Sequence, residues 1–252
     1  DKPLYMHYPE GYEQPGRVLL LKRALYGTKQ APNCWNLHYH RWLVQKGFRQ
    51  SASDPCMYQL NRGGEVCFVS VYVDDNLIVG DAGLCKQVKA LMAADYKVRD
   101  YGEPDHFLGL DFSRADDGSI RLSQSTYIRA MATRFDLLHA PCPHTPLDTS
   151  QDMTARVEDE AAADGTLYRS IVGSLLYAAT STRPDISYAV KELSRFLMNP
   201  SAAHMHQAKH CVSYLLGTHD AAITYSSRKD LNVLVGYSDA DWASAIDRKS
   251  TS

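Results

Sequence analysis

The sequence predicts an α+β fold in which helices cover an antiparallel sheet. Three observations carry that expectation. Residues 66–80 read Val-Cys-Phe-Val-Ser-Val-Tyr-Val-Asp-Asp-Asn-Leu-Ile-Val-Gly. The run is rich in β-branched and aromatic residues and apolar on both faces of a period-two pattern, as expected of a buried strand, a tight turn and a second strand. On either side, Trp35, Tyr39, Trp42 and Leu43, and then Leu84, Val88, Leu91 and Met92, recur at helical spacing. The second half of the chain repeats helical spacing, with Gly or Pro at element ends.

Taken in order, residues 5–12 (Tyr-Met-His-Tyr-Pro-Glu-Gly-Tyr) carry turn formers, and Val18-Leu-Leu-Leu-Lys is a short strand. Leu25-Tyr26-Gly27-Thr28-Lys29-Gln30-Ala31-Pro32 leads into a helix that Pro32 opens and Gly47 closes. Gly27 would let the backbone approach a ligand closely and Lys29 offers a charge for phosphate; a plain loop feeding a helix is the other reading. After the 66–80 hairpin and the helix around Val88, residues 106–112 form a strand candidate, and Asp116-Asp117-Gly118 a hairpin turn. Ser123 to Phe135 starts with hydroxyl capping candidates and sets Ile128, Met131 and Phe135 on one helix face, with Arg129 and Arg134 elsewhere. Residues 141–165 are rich in Pro, Asp and Ala and read as a linker. Helices are expected over 168–177, from Pro184, and from His204 to Leu216; the tail, 234–242, reads as a strand ending in acids.

With 44% hydrophobic and 22% charged residues, the 252-residue chain has the make-up of an ordinary globular protein of one large or two ordinary domains. Its net charge of -2 argues against a uniformly basic surface, so cations that meet phosphates would have to be gathered locally. Cys34, Cys56, Cys67, Cys85, Cys142 and Cys211 include no C-x-x-C pair, which fits a reducing compartment. His204, His206, His210 and Cys211 lack paired ligands at zinc-finger spacing and read as residues of a helix. Neither a signal peptide nor a run of 18 apolar residues is present, so a membrane role has no support.

Asp74 and Asp75 interrupt the apolar run and are expected together at the hairpin tip. Two carboxylates about 4 Å apart repel by roughly 4 kcal/mol at an effective dielectric near 20, so a rigid hairpin holding both calls for a cation or a proton. Asp-Asp-Asn is also ordinary turn chemistry, and both readings stand on the residues alone.

The surrounding strings add a family resemblance. Tyr72-Val73-Asp74-Asp75 on such a hairpin resembles the palm motif of reverse transcriptases. Leu-Tyr-Gly-x-Lys-Gln-Ala-Pro followed by Trp35 is similar to the Ty1/copia version of the motif that packs under template and incoming nucleotide, with Thr28 where Leu is usual. Tyr-Arg-Ser-x-Val-Gly-Ser-Leu-x-Tyr from Tyr168, Thr-Arg-Pro-Asp-Ile from Thr182 and Leu-Ser-Arg-Phe from Leu193 are landmarks of the same family. The resemblance covers nearly the whole sequence.

It implies a palm of antiparallel sheet with helices and partial fingers over 1–112, a primer-grip hairpin end and thumb helix over 113–140, a linker over 141–166, a mainly helical connection segment over 167–232, and the truncated start of an RNase H-like domain over 233–252. Asp74 and Asp75 become catalytic metal ligands for Mg2+, with Mn2+ as a substitute. Tyr72, Tyr26, Gly27, Lys29, Gln30 and Lys97 become nucleotide- or template-binding residues, Phe107, Leu108 and Gly109 a primer grip, and Asp239 a vestigial RNase H ligand. The implied activity is RNA-directed DNA synthesis by a two-metal mechanism, with an RNA template, a DNA primer and product, and dNTPs as partners. Integrase and RNase H regions of the same polyprotein are further expected partners, and cytoplasmic particles or the nucleus the expected location. The family's first palm Asp lies upstream of the segment at Tyr5, so the expectation is a polyprotein fragment; a non-catalytic remnant of a decayed element is the alternative.

Overall fold

A computed structural model describes residues 3–148, 150–151, 153–156, 161–226 and 236–238. The chain forms two compact units, 1–101 and 102–252. No helix among the described residues is long and apolar enough to cross a membrane.

In the first unit, β1 (Tyr5–Met6) and β2 (Leu19–Leu20) make a short antiparallel ribbon. Helix α1 (Ala31–Gln45) carries Pro32 in its first turn, where the missing N–H costs nothing. It stops where Gly47, with φ 93°, takes the left-handed conformation. There Phe48 N donates to Leu43 O and Gly47 N to Val44 O, both at 3.0 Å, the paired bonds of a Schellman cap with Phe48 and Leu43 buried beneath it. Strands β3 (Arg49–Gln50), β4 (Met57–Arg62), β5 (Glu65–Tyr72) and β6 (Asp75–Gly80) then form an antiparallel sheet in chain order. Helix α2 (Ala82–Asp95) follows.

The core joins α1, α2 and one sheet face: Tyr39, Trp42, Leu43, Tyr58, Leu60, Cys67, Val69, Leu84, Val88 and Met92 are all buried in one cluster. Register pairs Tyr58 with Val69 and Leu60 with Cys67, so the inward residues of neighbouring strands stack. The expectation that β5 is buried on both faces is corrected, because its alternate residue Phe68 is exposed while the helices cover the opposite face. Burial pushes the Cys67 thiol up to about 12, which makes it a core residue and no nucleophile.

The second unit begins with a four-stranded antiparallel sheet. Its strands are β7 (His106–Phe107), β8 (Leu110–Arg114), β9 (Ile120–Ser123) and β10 (Ala222–Tyr225), and their spatial order is β10-β9-β8-β7. The single strand expected over 106–112 is thus two strands around a two-residue turn. Helix α3 (Ser125–Arg134) has no side-chain bond from its N-cap Gln124. In place of the expected hydroxyl cap, Asp111 on β8 accepts from Thr126 N at 2.9 Å, putting a carboxylate at the positive end of the helix.

Helices α4 (Gly165–Ser181), α5 (Ser187–Ser194) and α6 (Ala202–Gly217) pack with α3 around Ile128, Met131, Tyr168, Ile171, Leu175, Leu193, Cys211 and Leu215. Asp164 caps α4 by accepting from Thr166 N and Leu167 N. Ser201 and His204 form a reciprocal capping box at α6, and the His204 ring stacks on Phe196 with centroids 3.9 Å apart. The expected linker is partly strapped down: the Asp148 backbone exchanges hydrogen bonds with the Gln207 amide at 3.0 and 2.8 Å, and Leu147 and Met153 pack on the core. A buried Gln side chain imitates a strand partner here, a contact that no local pattern announces. Asp239 and nearly all of the expected RNase H-like start lie outside the described residues.

Thr182-Arg183-Pro184-Asp185-Ile186 forms a 3-10 turn at Pro184–Ile186 before α5. Arg183, almost wholly buried, donates Nε and Nη2 to the two Asp185 oxygens at 3.0 and 2.7 Å. It also donates Nη1 to Thr218 O at 2.9 Å, bringing a cation to the C-terminal end of α6, where it complements the helix dipole. Arg183→Met keeps most of the aliphatic stem but removes the paired bonds to Asp185 and the bond to the Thr218 carbonyl, which keep Tyr214 OH and Ala221 N as donors; urea unfolding should show a loss of about 2 kcal/mol, the scale of hydrogen bonds to a charged group, and a loss near the ~0.5 kcal/mol of a surface pair would contradict this role. Burial alone would raise the Asp185 carboxyl, but hydrogen bonds from Arg183 and Tyr214 outweigh it and hold the group below its usual value. The unfolded chain therefore takes up this proton first. The stabilisation is present above the unfolded value of about 3.9 and disappears as pH falls through the lower folded value. Thermal melts below about pH 4 should show Asp185→Asn losing less stability with acid than the parent; parallel acid profiles would count against the pairing.

Candidate active site

The hairpin of β5 and β6 closes on a two-residue turn, because Tyr72 pairs with Asp75 and leaves Val73 and Asp74 between them. Val73 has φ 56°, whereas Asp74 is not left-handed. Positive φ at the first central position alone is the pattern of a type II′ turn, whose usual occupant there is Gly. A β-branched residue in that region costs on the order of 1–3 kcal/mol and persists only when its surroundings hold it.

The surroundings are supplied by α1. Trp35 Nε1 donates to Val73 O at 2.6 Å. Asn76 Nδ2 reaches Asp74 O at 3.4 Å, and Asn76 Oδ1 accepts from Tyr39 OH at 3.0 Å. Trp35, Tyr39 and Trp42 lie on successive turns of one helix face and stack, with centroids 5.4 and 5.6 Å apart and planes 9° and 5° from parallel. Tyr96 meets all three edge-on at 5.8, 5.5 and 5.1 Å, the favoured geometry for aromatic quadrupoles. At the far end of the ladder Trp42 Nε1 donates to Asp95 Oδ2 at 2.7 Å. Hydrogen bonds from Lys46 and then Trp42 hold the Asp95 carboxyl below the usual range.

Asp74 and Asp75 are both exposed. Water lowers the repulsion of two charges about 4 Å apart to roughly 1 kcal/mol, so the exposed hairpin tolerates both without a resident cation, a weaker demand than the sequence alone suggested. As donors they suit a hard divalent ion. Among the described residues no group of three or more His, Cys, Asp or Glu side chains could hold a metal. That leaves a pair of carboxylates, a donor set suited to a hard divalent cation that completes its shell with water and substrate phosphates.

Tyr72 is exposed on the last rung of the ladder beside Asp75. Tyr26 is 98% exposed, in a turn closed by Thr28 N to Leu25 O at 3.1 Å. Gly27 has φ 88°, and a Cβ there would meet nothing within 4 Å, so the turn conformation and not crowding calls for Gly. Lys29 and Gln30 are exposed just before α1, and Lys97 is exposed one residue after Tyr96. These residues belong to the first unit.

Phe107, Leu108 and Gly109 belong to the second unit. Leu108 and Gly109, with φ 52° and 76°, form the two-residue turn between β7 and β8, the pattern of a type I′ turn. Tyr177 OH on α4 donates to Leu108 O at 2.6 Å, and Tyr177 packs edge-on against Tyr127 at 4.9 Å. His106 Nδ1 lies 2.6 Å from Asp111 Oδ1 across the hairpin. The partners of the two turns that sequence reasoning missed are Tyr177 and Asn76, together with the donor roles of Trp35 and Tyr39. The aromatic spacing on α1 was visible, but it marks a core face whether or not the N–H and O–H groups reach a partner.

A family model described as "Reverse transcriptase (RNA-dependent DNA polymerase)" matches residues 1–149. The chain is 38% identical over 97% of its length to the retrovirus-related Pol polyprotein from transposon RE2 of Arabidopsis thaliana, of which it covers 17%. It is 35% identical over its full length to the corresponding polyprotein from transposon TNT 1-94 of Nicotiana tabacum, covering 20%. A putative transposon Ty5-1 protein of Saccharomyces cerevisiae shares 34% identity over 95% of the chain and 79% of its own length. No solved structure matches. The chain therefore spans less than a quarter of the two plant polyproteins it resembles, and it belongs to the reverse transcriptase family of copia-type retrotransposons.

Proposed function

We propose that this chain carries the polymerase chemistry of a copia-type Pol polyprotein: template-directed addition of deoxynucleotides to a primer 3′ end, copying RNA into DNA. The observation that carries the reading is the exposed Asp74–Asp75 pair on a hairpin turn that α1 holds in a strained conformation, because strain maintained by surrounding structure clusters at functional sites. In the reaction the primer 3′ oxygen attacks the α-phosphorus of the dNTP, a new P–O bond forms, and pyrophosphate leaves. Asp74 and Asp75 would hold Mg2+ or Mn2+, which supplies positive charge to the attacking and leaving oxygens when bound.

The remaining roles follow from the family resemblance and from exposure. Tyr26, Gly27, Lys29, Gln30 and Tyr72 would contact template and incoming nucleotide, and Lys97 would meet the triphosphate. The tyrosines offer faces on which bases can stack, and the lysines offer point charges for phosphate. Phe107, Leu108 and Gly109 would steady the primer end. Under this reading the first unit corresponds to palm and partial fingers, α3 to the thumb, and α4 to α6 to the connection segment. RNA template, DNA primer, dNTPs and the integrase and RNase H regions of the polyprotein are the partners, in cytoplasmic particles or the nucleus.

Asp74→Asn keeps the side-chain shape and removes the charge. Primer extension on a primed RNA template with Mg2+ should fall by on the order of 10³-fold, the scale of losing a preorganised electrostatic contact to the transition state. The assay compares parent and variant in the 252-residue chain and in a longer Pol protein containing it. Extension by the variant at the parent's rate would overturn the reading.

A further inference from the structure

We propose that Trp35 and Tyr39 are positioning residues that fix the backbone of Asp74 and so aim its carboxylate at a divalent cation, an inference that rests on the metal-binding reading of Asp74. A residue's φ and ψ are set by the planes of the two peptides that flank its Cα. The peptide before Asp74 carries the Val73 carbonyl, and Trp35 Nε1 holds that oxygen at 2.6 Å. The peptide after it carries the Asp74 carbonyl, which Asn76 Nδ2 reaches at 3.4 Å while Tyr39 OH holds the other end of the same amide at 3.0 Å. Both planes are therefore tied to side chains one turn apart on α1.

The tie has work to do because Val73 sits at φ 56°, where a β-branched residue does not stay unaided. A released turn would relax by rotating the peptide between Val73 and Asp74, which swings the Asp74 carboxylate to a new direction. Trp35 is only partly buried, and its stacking on Tyr39 and its edge contact with Tyr96 need a flat ring and no N–H. The indole donor is thus an addition to a contact that phenylalanine would also make. The same holds for the Tyr39 hydroxyl, since its ring alone completes the stack with Trp42.

The test reads metal affinity and fold separately, on the 252-residue chain, with Mn2+ titrated by electron paramagnetic resonance. Asp74→Asn serves as the control for the metal site and should abolish the tight component of binding. Trp35→Phe is expected to weaken Mn2+ binding roughly fivefold, the scale of one net hydrogen bond, and Tyr39→Phe by less, with both melting within a few degrees of the parent. In the parent, the Trp35 indole N–H resonance should exchange slowly with solvent and broaden on adding Mn2+. If Asp74→Asn leaves binding unchanged, the metal-binding reading falls and the positioning role falls with it. If Asp74→Asn weakens binding but Trp35→Phe, or Tyr39→Phe should the first variant not fold, binds Mn2+ as the parent does, the positioning role alone is overturned.

Discussion

The hydrogen bond from Trp35 Nε1 to the Val73 carbonyl joins a helix that starts soon after a left-handed glycine turn to a hairpin tip that could not keep its shape alone. Much of the first unit serves that contact. Proline at the start and a Schellman cap at the end set the length of α1. Three aromatic rings on one face lock its rotation against Tyr96. Pairing of β5 with β6 in a single register from Cys67–Gly80 to Tyr72–Asp75 brings the turn to the helix. A one-residue slip in that ladder would send Cys67 and Val69 to the open face and carry the carboxylates with them. The core and the site therefore share one register, and neither can shift without the other.

The second unit solves a similar problem with different parts. Leu108 is again a non-glycine residue in the left-handed region of a two-residue hairpin turn, and its carbonyl again accepts from an aromatic donor on a helix, Tyr177 OH at 2.6 Å. Asp111 reinforces that hairpin by pairing with His106 and capping α3. The landmark strings beginning at Tyr168 and Thr182 acquire physical content: the last tyrosine of the first restrains a turn, and Arg183 of the second closes the C-terminal end of α6. Arg183, almost wholly buried, would be costly without those partners.

Legibility differed with the range of the interaction. Helices α1 and α2, the β5–β6 hairpin and the placement of Asp74 and Asp75 at its tip follow from periodicity and from Pro and Gly signals, all of which act within a few residues. The strand expected over 106–112 broke because Leu108 and Gly109 turn the chain back at positive φ, with Tyr177 OH on the Leu108 carbonyl, and nothing local in His-Phe-Leu-Gly-Leu signals a distant hydroxyl. The expected hydroxyl cap on α3 failed for the same reason, since Asp111 supplies it from another strand. The linker reading missed Gln207, a single amide far along the chain. At the candidate site the carboxylates were visible as a pair, whereas the strain at Val73 and the donors that hold it belong to tertiary structure.

If the Val73–Asp75 turn is where this protein meets a divalent cation, Mn2+ should reveal it by paramagnetic broadening, mapped over the amide resonances of the chain at low metal-to-protein ratio. Broadening should begin at Val73, Asp74 and Asp75 and spread to Trp35 and Asn76, following distance from the turn. Broadening that begins instead at another carboxylate, such as Asp95, Asp148 or Asp185, with the turn unaffected, would contradict the assignment.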